Sequence, residues 1–212
     1  MNLKNIAATL ILACVALTVS AQQTGKFYIT PMAGVNLSQL SQYTDVSRRI
    51  GLTAGAELEY KTTPLYSFVA GLKYSQQGAK NTSNGYDEKF KLDYINIPLL
   101  VKFNLPQTPE WINAFSMKFG LEPGILINDK VSTAQGDYDI SDSYAETAGG
   151  EVSVPSVALN LQAGLAYEYR NFVIDARYVV GLTNAIKITQ DGTDVNIRHQ
   201  AWMFTIGYKF AL

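Results

Sequence analysis

From Phe27 to the C-terminus, apolar and polar residues alternate with a period of two, the signature of strands whose two faces meet different surroundings. One face of the stretch Ile50 to Tyr60 carries Ile50, Leu52, Ala54, Ala56, Leu58 and Tyr60; the other carries Gly51, Thr53, Gly55, Glu57 and Glu59. Phe172, Ile174, Ala176, Tyr178, Val180 and Leu182 alternate in the same way with Val173, Asp175, Arg177 and Gly181. Eight such strands are predicted: Phe27–Leu37, Ile50–Tyr60, Tyr66–Gln77, Tyr94–Phe103, Trp111–Ile127, Val157–Tyr169, Phe172–Asn184 and His199–Phe210. Each has one face free of charge, and each is about as long as a tilted strand must be to cross a bilayer.

The connections alternate in length. Those after the second, fourth and sixth strands are short (Lys61–Leu65, Asn104–Glu110, Arg170-Asn171), whereas the others are long, the longest running from Asn128 to Ser156. The two faces also differ in bulk. Phe68, Phe115, Phe119, Trp202 and Phe204 lie on the charge-free face, which would overfill the inside of a small barrel, while the strand glycines, Gly55, Gly164 and Gly207 among them, fall on the other face. Rings gather at strand ends beside the short turns, at Tyr60, Tyr66, Phe103, Trp111, Tyr169, Phe172, Tyr208 and Phe210, as an interfacial girdle would. In a membrane every backbone N–H and C=O must be satisfied internally, so strands span only as a closed barrel. The predicted fold is all-β: an eight-stranded antiparallel up-and-down transmembrane β-barrel with short periplasmic turns and long extracellular loops.

Inward parity collects Glu57, Glu59, Glu122, Glu168 and Asp175 with Lys73, Lys102, Lys118, Arg177 and Lys209, five acids and five bases. Eight strands enclose a space just wide enough for side chains to fill, and buried charges of balanced sign can neutralise one another. A plugged lumen follows, with the ten residues forming a structural network in preference to a proton or ion path.

The N-terminus supports that address. Lys4, the apolar stretch Ile6 to Val19 and the small residues Val19-Ser20-Ala21 read as a signal peptide over residues 1–21, leaving 22–212 as one barrel domain. A lipoprotein cysteine at Cys14 and a membrane-anchoring helix are the alternatives, the first of which would discard the better cleavage site. Cys14 is the only cysteine, so the mature chain has no disulfide and no thiolate ligand or nucleophile. Of 17 basic residues, loss of Lys4 leaves 16 against 18 acidic ones, a balance with no footprint for nucleic acid.

The run Tyr94-Ile95-Asn96-Ile97-Pro98-Leu99-Leu100-Val101-Lys102 resembles the outer-membrane β-barrel domains common in the Bacteroidetes, often called the PorT family. Similar local forms occur at Ala33 to Ser38, Gly71 to Gly78, Arg177 to Leu182 and Gly207 to Phe210. The resemblance implies a surface-exposed barrel, with one branch linked to protein secretion and gliding-type machinery, and supplies no catalytic residues to carry over. In one respect the chain departs from it: Ala211 and Leu212 follow Phe210, where barrel-assembly signals usually end on an aromatic residue.

Candidate chemistry is sparse. His199, the sole histidine, stands near Asp191 and Asp194 and could serve a surface hydrolase, but no Gly-x-Ser-x-Gly or His-Glu-x-x-His motif accompanies it, and a rim histidine is the simpler reading. Asp137-x-Asp139-x-Ser141 has alternating oxygen ligands of the kind Ca²⁺ takes, yet Asp142 and Ala148 stand where an EF-hand has glycine and glutamate, so the acidic stretch Asn128–Ser156 reads as a solvated loop. The expectation is therefore a monomeric, non-enzymatic barrel without cofactor or metal. Its partners would be outer-membrane lipid, the barrel-assembly machinery and a protein or glycan at the outer loops; the alternative is an accessory part of a secretion or envelope machine.

Overall fold

The structure is a computed structural model and describes residues 25–41, 46–81, 88–105, 114–133, 136–139, 151–190 and 193–212. The predicted signal peptide, Cys14, Trp111, Ser141 and Asp191 lie outside these residues. Eight antiparallel staves close into a barrel. They are β1 (Lys26–Leu40), β2 (Val46–Lys61), β3 (Tyr66–Asn81), β4 (Glu88–Asn96) continued by β5 (Leu99–Asn104), β6 (Phe115–Thr133), β9 (Val157–Tyr169), β10 (Phe172–Gly181) and β13 (His199–Tyr208) continued by β14 (Phe210–Ala211). The first and last staves seal it: Met32 to Leu40 of β1 pair with Gly207 to His199 of β13, and Tyr28 and Ile29 pair with Ala211 and Phe210. Among the described residues this closure leaves the barrel wall without an unpaired edge strand, which lipid would not tolerate. Ala211 and Leu212 are thus part of the seam, the Leu212 N–H donating to the Phe27 carbonyl at 3.0 Å.

Around the outside runs an apolar band in which Ile50, Leu52, Leu72, Leu165, Ile174 and Ile206 are all more than half exposed. At the short-turn end it is bordered by ring pairs, Phe27 with Tyr60 at 4.8 Å, Phe115 with Tyr167 at 4.9 Å and Phe172 with Tyr208 at 5.2 Å; at the other end Tyr178 meets Trp202 at 4.9 Å.

The staves differ from the predicted ones in four ways. The fourth is broken at Ile97-Pro98, because proline cannot donate to the ladder. Its neighbours take up the slack: the Ile97 N–H donates to the Pro123 carbonyl at 2.8 Å, and the Pro98 carbonyl accepts from the Gly71 N–H at 3.0 Å. Second, the staves rise beyond the apolar band. The expected connection between Gln77 and Tyr94 is largely ladder, with Gly78 to Asn81 paired to Lys91 to Glu88. Third, the supposed loop Asn128–Ser156 is partly strand: β6 continues to Thr133 and folds back as β7 (Gly136–Asp139). In the same region β8 (Glu151–Ser153), β11 (Ile186–Gln190) and β12 (Thr193–Ile197) form a separate three-stranded sheet in the order β12, β11, β8. The seventh stave ends at Gly181, three residues before the predicted Asn184.

In these extensions the polarity of the wall is reversed. Leu40, Ala79, Leu92, Tyr94, Val131 and Ala158 point inward and pack with Ala185, Ile186 and Ile197 as one apolar cluster, whereas Lys89, Lys91 and Lys130 face out. Above the lipid the barrel is built like a soluble protein.

Candidate functional site: the barrel lumen

The alternation that turns Leu58 and Phe119 to the outside turns their neighbours into the lumen, and side chains from distant staves meet there. Nearest the short turns, Lys102 Nζ lies 3.0 Å from Glu59 Oε2 and also pairs with Glu168, while Lys209 Nζ lies 2.7 Å from Glu59 Oε2 and 3.0 Å from Glu168 Oε2. Above them Arg177 forks onto two carboxylates. Its Nη1 and Nη2 donate to Glu57 at 2.5 and 3.0 Å, and its Nε and Nη2 donate to Asp175 at 2.6 and 2.7 Å. Lys118 bridges the same two acids at 3.0 and 2.8 Å. Higher still, Lys73 Nζ donates to Glu122 Oε2 at 2.7 Å, and Gln162 Nε2 donates to the same oxygen at 2.9 Å.

The ten inward charges thus gather in three groups, two of four residues and one of two, and each group sums to zero. Burial is extreme, with Arg177 0% and Lys102 and Glu122 each 1% exposed. Taking such ions out of water is costly, and short, multiply hydrogen-bonded contacts of opposite sign are what offset that cost. Neutral side chains complete the layers: Asn36 donates to Ser75 Oγ at 2.7 Å, Thr53 donates to the Tyr74 carbonyl at 3.0 Å, and Asn96 and Asn160 lie buried beside the Lys73–Glu122 pair. Composition alone does not single out these neutral residues. Their inward parity does, once the strands are drawn.

His199 does not stand on an open rim. It is 2% exposed and points into the barrel, with Nε2 3.0 Å from the hydroxyl of Tyr94 and the two rings edge to face at 5.3 Å. Tyr94 is itself a member of the apolar cluster, so the pair ties His199 to it. Asp137 and Asp139 lie on the exposed strand β7, and Asp137 accepts from the Ser132 hydroxyl and from Lys91 Nζ, the latter at 3.1 Å. Those two donors hold the Asp137 carboxyl below the ordinary aspartate range. Among the described residues no cluster of three or more His, Cys, Asp or Glu side chains has metal-binding geometry.

An antiparallel barrel closed on itself, apolar and ring-belted outside and charged within, is the build of a protein of the bacterial outer membrane. The chain belongs to the outer membrane protein beta-barrel domain family, whose match covers residues 20–187. No curated protein matches it. Solved structures of similar fold include Neisserial surface protein A (NspA), 16% identical over 89% of this chain and 100% of that one with a TM-score of 0.46. Ail, the attachment invasion locus protein of Yersinia pestis, solved in complex with the heparin analogue sucrose octasulfate, is 16% identical over 89% and 100% with a TM-score of 0.47. OprG from Pseudomonas aeruginosa is 15% identical over 89% and 97% with a TM-score of 0.43.

Proposed function

We propose that this outer-membrane barrel is a non-enzymatic, monomeric element with a closed lumen, which acts as a structural or surface-binding component through the strands and loops at its long-connection end. The observation that carries this reading is the filling of the lumen. Three neutral charge groups occupy the membrane-spanning part, and an apolar cluster with the Tyr94–His199 pair occupies the part above it. A fixed ring of both signs at equal number favours packing over ion passage, since each mobile ion entering would have to displace a buried partner. His199 is committed to Tyr94 and screened from solvent, which leaves a hydrolase reading without an accessible base.

The residues that carry the PorT-like resemblance are spent on the barrel itself: Tyr94 meets His199, Pro98 breaks the fourth stave, and Lys102 joins Glu59 and Glu168. They therefore argue for fold more than for membership of a secretion machine. Planar-bilayer recordings test the proposal. The purified mature protein should give no steady, large, single-size conductance, and the appearance of one would defeat the closed-lumen reading. Repeated capture of the same envelope proteins from detergent extracts would favour the machine component instead.

A further inference from the structure

One hydrogen bond crosses the bore. Counted round the wall in either direction, β4 and β13 are four staves apart, so the Tyr94 hydroxyl and His199 Nε2, 3.0 Å from each other, join opposite sides of the barrel. The tie lies above the lipid: beside His199 the outer face carries Arg198 and the hydrogen-bonded pair Gln39 and Gln200. Over it stand β8, β11 and β12. Short links root β11 and β12 in the wall, residues 182–185 after β10 and Arg198 alone before β13, which sets His199 at the foot of β12. Ile186 and Ile197, with Ala185 between β10 and β11, pack onto Leu40, Leu92 and Tyr94, so these strands form a cap on the apolar cluster.

The imidazole is built into this place without a counter-charge. Its Nδ1 has no hydrogen-bond partner, its ladder partner on β1 is Leu40, and β10 offers only Gly181 beside it. The inward charges around this level are engaged elsewhere: Glu122 of β6 accepts from Lys73 of β3 and from Gln162, and Arg49 of β2 donates to the carbonyls of Gln77 and Phe90. Asp129 of β6 lies opposite Leu92 and Lys187 belongs to the cap; neither is hydrogen-bonded to the ring. A neutral ring suits such a site. A charged one would carry a second N–H, on Nδ1, with nothing to accept it, and burying an unpaired cation is costly. We propose that the Tyr94–His199 tie is an acid-sensitive latch on the cap: neutral His199 holds the cap shut, and protonation favours an opened form in which the ring reaches water. The inference rests on the closed-lumen reading and names the condition under which its upper part yields; the three charge groups below stay in place.

Amide hydrogen exchange of the untagged protein in lipid nanodiscs tests it, with rates corrected for the intrinsic effect of pH. The cap is read at amides such as that of Ala185, which donates to the Ile197 carbonyl at 2.7 Å. Their opening constant should rise about 30-fold between pH 8 and pH 5, the linkage expected when a ring that titrates near about 6.5 in the opened form stays neutral in the closed one. Amides of the spanning section, Val173 to Arg177 among them, should keep their protection. His199→Gln should make the cap's opening constant equal at the two pH values. Tyr94→Phe removes the tie but keeps the titrating ring, so it should raise opening at pH 8 by about fivefold or more and preserve the acid response. Should His199→Gln lose its heat-modifiable gel mobility, the wild type decides: His199 is the sole histidine, and its isotope-labelled ring should still be neutral at pH 5.5 in the closed protein. An opening constant that does not move between pH 8 and pH 5, an undiminished acid response in His199→Gln, no rise in Tyr94→Phe, or a charged ring at pH 5.5 under a fully protected cap would overturn the proposal. The closed-lumen reading fails on a different result, a steady conductance at pH 8.

Discussion

Arg177 is fully buried and saturated: its guanidinium forks onto Glu57 and Asp175 with four contacts of 2.5 to 3.0 Å. Removing one partner of a buried pair strands the other, so Arg177→Met leaves two carboxylates with Lys118 alone and should cost about 3–5 kcal/mol. Arg177→Lys keeps the charge but loses the planar fork, and a smaller loss is expected. Urea unfolding from lipid vesicles measures both. The space for this arginine comes from Gly164 across the ladder, where a Cβ would meet the Ala176 carbonyl oxygen at 2.3 Å and Arg177 Cγ at 2.7 Å. Gly164→Ala should therefore destabilise by about 1–3 kcal/mol in the same assay, through backbone displacement, with no charge removed. Parity in the sequence picks out Arg177, Glu57 and Asp175 as inward residues. It does not reveal that Arg177 and Glu57 meet, since they come from staves 120 residues apart and their encounter depends on how the barrel closes.

The spanning parts of the staves are legible because lipid and lumen impose opposite demands on alternate residues. Leu121 lies midway between the two ends of the lipid-facing row on β6, 43% exposed, while its neighbour Glu122 is buried. Leu121→Arg should consequently cost about 2–4 kcal/mol in vesicle unfolding, the penalty for a cation at the bilayer midplane. Where the stave leaves the lipid, the rule changes sign: Leu92 is buried between Lys91 and Asp93, a sequence that reads as a polar loop unless the inversion is known. The hairpin of β6 and β7 was hidden for the same reason, its acids resembling a solvated connection. Its Asp137 gives a pH signature. The folded carboxyl titrates below its ordinary value, so the contacts to Ser132 and Lys91 favour the hairpin above the unfolded pKa of about 3.9 and that contribution is lost as pH falls through the depressed folded value. Carboxyl NMR titration of the wild type and of Lys91→Gln should show the Asp137 midpoint moving upward in the variant.

On the proposed closed-lumen reading, two different fillings stack along the barrel axis, and each can be perturbed without the other. Ion pairs fill the section within the membrane, where the backbone ladder and the lipid belt already fix the wall; an apolar cluster fills the section above, where the extended staves have water on their outer side. Stability in the upper section rests on burial of groups such as Leu92 and Ile197, 0% and 1% exposed, each of which typically contributes a few kcal/mol. Leu92→Ala combined with Ile197→Ala should therefore loosen the upper ladder while leaving the spanning section intact. In vesicles, limited proteolysis should cut the double variant faster within the outer extensions, with the protected membrane core and its heat-modifiable gel mobility unchanged. Conductance should stay absent, because the Arg177 and Lys102 groups still occupy the lumen below. If instead the double variant opens a steady pore, the apolar cluster alone holds the barrel shut, and the ten charges in the lumen must leave a path for ions between them.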